Sequence, residues 1–112
     1  MARQRADVAL KDHSLAVSAI SFWEIAMLVA KGRIIMDLPP LVWRQDLLRS
    51  GLIEIPVDGE IGITAVYLEH LHGDPADRII IATTLLQRAI LVTADQRILE
   101  WSGKLERLDA RL

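Results

Sequence analysis

Three carboxylates, Glu24, Asp77 and Asp95, carry the chemistry that this sequence can offer, and each stands near a recognisable helix start. Asp74-Pro75-Ala76-Asp77 has the form of a helix N-terminus. Asp74 is the cap, Pro75 takes the first helical position, and Asp77 lies three residues after the cap, where a carboxylate faces free backbone amides. Asp95 follows the apolar run Ala89 to Thr93 and precedes Gln96-Arg97-Ile98-Leu99, so it caps the next helix. Ser21-Phe22-Trp23-Glu24 repeats the capping-box pattern, with Ser21 as cap and Glu24 at the third position. In open α/β sheets the carboxyl ends of the strands collect on one rim, and sites form there. Three carboxylates on one rim repel unless a hard divalent cation sits among their oxygens; Mg²⁺ takes only one or two carboxylates directly and keeps several waters. An ion so held activates water and stabilises charge developing on a phosphoryl oxygen, which is the chemistry of phosphodiester hydrolysis. Thr93, two residues before Asp95, supplies a hydroxyl that can orient a carboxylate or a water, and Asp74 supports the site as a cap first and a ligand second.

Taken singly, each acid has a sufficient structural use as cap or capping-box partner, worth about 1 kcal/mol. Only their joint placement makes a site. His70 and His72 read as a surface pair near a helix end, because no third histidine at metal spacing accompanies them, and His13 reads as a loop residue. Trp23 and Trp43 read as core or interface anchors, and Trp101 closes the C-terminal helix against the body. Arg44, Arg49, Lys31 and Arg33 read as ordinary solvated charges.

The elements that must position these acids alternate along the chain. Residues 1 to 12, with Ala6, Ala9 and Leu10 at helical spacing, look like the last turns of an amphipathic helix. Leu15 to Ile20 reads as a strand, followed by a helix from the Ser21 cap to Lys31-Gly32, where Gly32 suits a C-terminal cap. Pro39-Pro40 opens a helix that lasts until Gly51; Leu52 to Val57 is a strand, with Pro56 arguing for an edge. Asp58 caps a helix carrying Ile61, Ala65, Leu68 and Leu71 before His72-Gly73 breaks it. The helix from Pro75 runs to about Arg88 with Ile80, Ile81, Thr84 and Leu85 on its apolar face. Ala89 to Thr93 is an unbroken apolar run, which predicts a strand covered on both faces, and Leu105 to Asp109 is a last short strand. This order of strands and helices is that of an α/β fold in one domain spanning residues 1–112.

Composition narrows the function classes. With 112 residues and 52% hydrophobic content the chain can build one real core without staples. The lack of cysteine removes thiolate catalysis and Cys-ligated zinc and fits a reducing, cytoplasmic setting. No apolar run approaches the ~20 residues of a membrane span. A net charge of −2 gives no overall pull toward nucleic acid, so such binding must rest on local clusters.

Val17-Ser18-Ala19-Ile20-Ser21-Phe22-Trp23-Glu24-Ile25-Ala26, Lys31-Gly32-Arg33, His72-Gly73-Asp74-Pro75-Ala76-Asp77-Arg78 with Ile81-Ala82, and Leu91-Val92-Thr93-Ala94-Asp95 together resemble the PIN domain, in its branch of VapC-type toxins from bacterial toxin–antitoxin pairs. The resemblance covers nearly all of the chain. It implies a three-layer α/β/α fold with a mainly parallel sheet and a Mg²⁺- or Mn²⁺-dependent endoribonuclease. It also implies a homodimer held inactive by a cognate antitoxin whose peptide lies in or near the acidic groove. Position by position, Glu24 matches the glutamate of the family's Ser-x-Trp-Glu stretch, Asp77 the aspartate of its Asp-Pro-x-Asp-Arg turn, and Asp95 that of its Thr-x-Asp turn; these are the family's metal-site acids.

The sequence also departs from the family. Members open with an apolar strand that ends in a metal-site aspartate and lies mid-sheet, followed by a helix; this sequence shows neither, and Asp7 and Asp12 follow no buried apolar strand. Unpaired buried backbone groups cost about 1 to 3 kcal/mol each, so the sheet is expected to close the gap, recruit another chain or expose an edge. Two functions follow. One is a ribonuclease in which Glu24, Asp77 and Asp95 hold Mg²⁺. The other is a catalytically dead PIN-like interaction module that dimerises or binds an antitoxin-like peptide. With one acid fewer, the expectation is little or no Mg²⁺-dependent cleavage of RNA, unchanged by Asp77→Asn or Asp95→Asn. A receiver-like aspartyl-phosphate domain is a weaker third option, since no strand-terminal Asp has a Lys in the usual place.

Overall fold

The structure, a computed structural model, describes residues 15–111; the helical turns expected over residues 1–12 and the loop at His13 lie outside the described residues. Its order is β1 (Ala16–Ser18), α1 (Ala19–Ala30), α2 (Pro40–Arg49), β2 (Ile53–Ile55), α3 (Gly59–Val66), α4 (Pro75–Leu86), β3 (Leu91–Thr93), α5 (Gln96–Leu99) and β4 (Arg107–Asp109). The expected α/β class with parallel strands is what forms. β1 runs parallel to β2, with Ala16 opposite Ile53 and Ser18 opposite Ile55; β3 runs parallel to β4, with Leu91 opposite Arg107 and Thr93 opposite Asp109. These are two separate two-stranded pairs, and among the described residues no strand joins them. The strand at Leu91 is therefore less covered than the apolar run predicts: Val92 is 43% exposed and Ile90 44%.

Short-range signals set most helix ends. Asp58, Asp74 and Asp95 cap α3, α4 and α5 through their side chains, as expected. Gly32, with φ +70, closes α1: its amide donates to Val29 O and that of Arg33 to Leu28 O, the paired bonds of a Schellman cap. Gly51 repeats this after α2, with Leu52 N–H donating to Leu47 O. The same motif ends α4, but Arg88 occupies the left-handed position at φ 52, with Ala89 N–H donating to Thr84 O.

Two boundaries differ from the expectation. Helix α1 begins at Ala19 with Ser18 as its cap, Oγ accepting from Ile20 N at 3.3 Å, rather than at Ser21. Helix α3 stops at Val66 rather than reaching Leu71. There the Arg78 guanidinium gathers the chain: Nε donates to Ala65 O (2.9 Å), Nη2 to Val66 O (3.1 Å) and Leu68 O (2.7 Å), and Nη1 to Leu71 O (3.1 Å) and His72 O (3.2 Å). Leu68 and Leu71 still pack inward, without helical backbone.

Helix α4 is the centre of the core. Ile81, fully buried, packs with Ile98, Trp101 and Leu105, while Ala82, one residue on, packs with Ile61 and Ala65 of α3. Trp101 closes this side as expected, its Nε1 donating to Glu69 O at 2.8 Å. Phe22 and Trp43 stack edge-on at 5.6 Å and tie α1 to α2, whereas Trp23 is 56% exposed.

Candidate metal centre

Three local devices hold two of the acids expected to form the site, Asp77 and Asp95. Asp74 Oδ1 accepts from Ala76 N (3.0 Å) and Asp77 N (3.2 Å), which fixes the first turn of α4 and presents Asp77 from it. Thr93 Oγ1 accepts from Asp95 N at 3.1 Å, so the hydroxyl shapes the turn after β3 rather than touching a carboxylate. Asp95 Oδ1 accepts from Arg97 N at 2.9 Å as the cap of α5. Glu24 lies in the second turn of α1, because that helix starts at Ala19. It therefore has no place in a capping box, and the structural use that the sequence suggested for it falls away.

Asp77 and Asp95 come together across the gap between α4 and β3, and His72 joins them: one ligand atom from each lies within 4.8 Å of the others. Asp77 does not serve the helix amides; its Oδ2 is 2.9 Å from His72 Nε2. His72 is correspondingly not a surface residue, with its side chain 15% exposed against 20% for Asp77. Arg97 lies over both acids, Nη2 being 3.0 Å from Asp95 Oδ2 and 3.8 Å from Asp77 Oδ2.

Charge reads the same way. Burial pushes the Glu24 carboxyl above its ordinary value, and the negative charges of Asp77 and Asp74 push it further. Glu24 thus feels the charge of the α4 acids, but it is not one of the three residues, His72, Asp77 and Asp95, whose ligand atoms meet. Asp95 is held below its ordinary value, first by the side-chain hydrogen bond from Arg97, against partial burial that acts the other way. The centre is a small acidic cluster facing one guanidinium, and its hard oxygen donors have the chemistry that a divalent cation takes.

Sequence reasoning missed His72 and Arg97. His72 is enclosed by tertiary packing that no local pattern displays. Arg97 had a visible signal, since a cation two residues after a capping Asp can fold back onto the carboxylate that its own amide engages.

Parallel strand pairs with acids gathered where strands end and helices begin define an α/β domain with a candidate divalent-cation centre. The chain belongs to the PIN domain family, which it matches over residues 2–104. It is also 40% identical over 85 residues to Ribonuclease VapC22 of Mycobacterium tuberculosis (strain ATCC 25618 / H37Rv), a stretch covering 75% of this chain and 65% of that protein. The chain thus spans just under two thirds of the length of this relative.

Proposed function

We propose that the protein is a PIN-domain endoribonuclease of the VapC type, the toxin of a toxin–antitoxin pair acting in the cytoplasm, with Glu24, Asp77 and Asp95 holding Mg²⁺ or Mn²⁺. The observation that carries this reading is the meeting of Asp77 and Asp95, eighteen positions apart in sequence, with ligand atoms inside one 4.8 Å cluster. The charges of Asp77 and Asp74 help to raise the Glu24 carboxyl, which supports Glu24 as the third acid, although His72 takes that place in the cluster. When bound, the ion supplies an activated water and charge neutralisation at the phosphodiester. The chain supplies the rest: Asp74 and Thr93 fix the turns that present Asp77 and Asp95, and Arg97 offers a guanidinium to a phosphate oxygen once it is released from the acids.

The partners proposed are an RNA substrate, a cognate antitoxin and a second copy of the chain. Support for the antitoxin comes from Arg97, which demonstrates that a guanidinium fits over Asp95 and Asp77; a basic side chain of a partner peptide suits the same place. That observation also favours the second reading, an interaction module that cuts nothing.

Cleavage of a mixed pool of labelled RNA with Mg²⁺ or Mn²⁺, with and without a chelator, tests both. Activity that depends on the ion and falls at least about a hundredfold in Asp77→Asn and Asp95→Asn is the result expected of the nuclease, and the fall in both variants separates it from a contaminant. No cleavage by the parent, together with binding of a basic antitoxin peptide that Asp77→Asn abolishes, selects the interaction module.

A further inference from the structure

We infer that His72 is a positioning residue that orients the Asp77 carboxylate for the ion, and is not itself a ligand. This rests on the proposed use of Asp77 as a metal ligand. Nothing in the spacing of the acids requires a histidine here, yet the structure builds one in with care. Its carbonyl accepts from Arg78 Nη1 at 3.2 Å, its ring is largely buried, and its Nε2 meets Asp77 Oδ2 at 2.9 Å.

The two ring nitrogens decide between positioner and ligand. A carboxylate accepts only, so the nitrogen facing Asp77 must carry a proton, which makes Nε2 the donor. Nδ1 is buried and has no hydrogen-bond partner among the described residues. In the Nε2–H tautomer that buried nitrogen is a bare lone pair, with no proton needing an acceptor. A ligating role through Nε2 reverses this: Nε2 gives up its proton to bind the ion, the bond to Asp77 is lost, and the proton must sit on Nδ1. Metal-ligating histidines almost always donate from their second nitrogen to a carboxylate, carbonyl or water. His72 Nδ1 meets no such group of the described chain. Ligation through Nδ1 would keep the bond to Asp77, but that nitrogen is enclosed by the chain. The ring therefore favours the bond to Asp77 over ligation, although one ring nitrogen lies within 4.8 Å of an oxygen of Asp77 and of Asp95. Holding one oxygen of Asp77 fixes the plane of the carboxylate, and with it the lone pairs that the ion meets.

The test is Mn²⁺ affinity of the full chain, measured by titration calorimetry and by the paramagnetic resonance of free Mn²⁺, for the parent and for H72A, H72Q and H72N. Gln places an amide nitrogen near the position of Nε2, whereas Asn reaches only as far as Nδ1. H72A and H72N are expected to bind Mn²⁺ about 10-fold or more weakly, the usual loss when a second-layer partner is removed, with H72Q within a few-fold of the parent. Thermal midpoints are read on the same samples; if H72A fails to fold, the Gln and Asn variants carry the comparison. The ring ¹⁵N signals of the parent are expected to keep Nε2 protonated with diamagnetic Mg²⁺ present. Equal binding by parent and H72N overturns the role of His72 alone, as does H72Q failing as fully as H72A, or an Nε2 that loses its proton when Mg²⁺ binds. A parent that binds no Mn²⁺ overturns the ion site, and this inference with it.

Discussion

Replacing Arg78 by Ala should be among the most damaging single changes outside the apolar core. The guanidinium has five N–H donors, and all five are used on carbonyls of residues 65–72, with distances of 2.7 to 3.2 Å. Two of those carbonyls, Ala65 and Val66, end α3, where the helix dipole leaves negative charge that a cation offsets. A hydrogen bond to a charged group contributes roughly 1.5 to 3 kcal/mol. The five are not additive, and carbonyls at the exposed side of the loop recover water on truncation. A loss of about 3 to 4 kcal/mol is the resulting expectation, within the range for breaking a partly buried charged network. With a urea m-value of about 1.3 kcal/mol/M, the unfolding midpoint falls by roughly 2 to 3 M. Trp101 is a suitable reporter, being buried and bonded to Glu69 O inside the loop that Arg78 holds. Arg78→Lys keeps the charge but not the planar fork, and should recover no more than about a third of the loss. A loss under about 1 kcal/mol for Arg78→Ala, or a Lys variant as stable as the parent, would show that the loop is held by its leucines instead.

Arg88→Gly should stabilise the fold by about 0.5 to 1 kcal/mol, because Arg88 takes the left-handed cap position of α4 that Gly32 and Gly51 take elsewhere; a lower urea midpoint would contradict this. Arg97→Ala should tighten Mn²⁺ binding about threefold to tenfold in low salt by removing the cation that already faces Asp95 and Asp77, with the gain shrinking as salt rises; unchanged affinity in calorimetry would refute competition. Glu24 gives the pH dependence. Its carboxyl holds its proton more tightly in the folded chain than in the unfolded one, whose value is near 4.5, so the folded state binds more protons and stability falls as pH rises from 4.5 through the folded value. Glu24→Gln should remove that part of the slope, as should saturating Mg²⁺; urea midpoints measured from pH 4 to 8 that decline equally in parent and variant would refute it.

What was legible in the sequence is what a few neighbouring residues decide among themselves. Asp74, Asp58 and Asp95 cap their helices by reaching amides two or three positions on, and Gly32 and Gly51 end theirs by taking backbone angles that side chains resist. The choice between Ser18 and Ser21 was not local. Both serines fit as caps, and the earlier one wins where β1 ends opposite Ile55, just before Pro56 stops β2. The end of α3 was likewise hidden, since the periodic leucines 68 and 71 continue a helical pattern while Arg78, ten residues beyond Leu68, captures the carbonyls. Of the site, the sequence showed Asp95 after a strand and Asp77 in the first turn of a helix, whereas the burial of His72 depends on how the loop 67–73 folds back against α4.

The first turn of α4 explains why an acidic centre can coexist with the cation that holds its loop. Asp77 and Arg78 are adjacent and opposite in charge, and among the described residues they form no ion pair. Successive helical residues point about 100° apart, so neighbours in sequence do not face each other. The helix thus sends Arg78 toward the carbonyls of residues 65–72 and Asp77 toward His72 and Arg97. Were the two to pair, the loop would lose its anchor and the site an acid at once. Asp74, capping the same turn, fixes the phase of the helix on which this separation depends. Moving the aspartate by one position, to residue 76, would aim it toward the core side where Ala76 is 7% exposed; this ties the spacing from Asp74 to Asp77 to the site's geometry as well as to the helix's start.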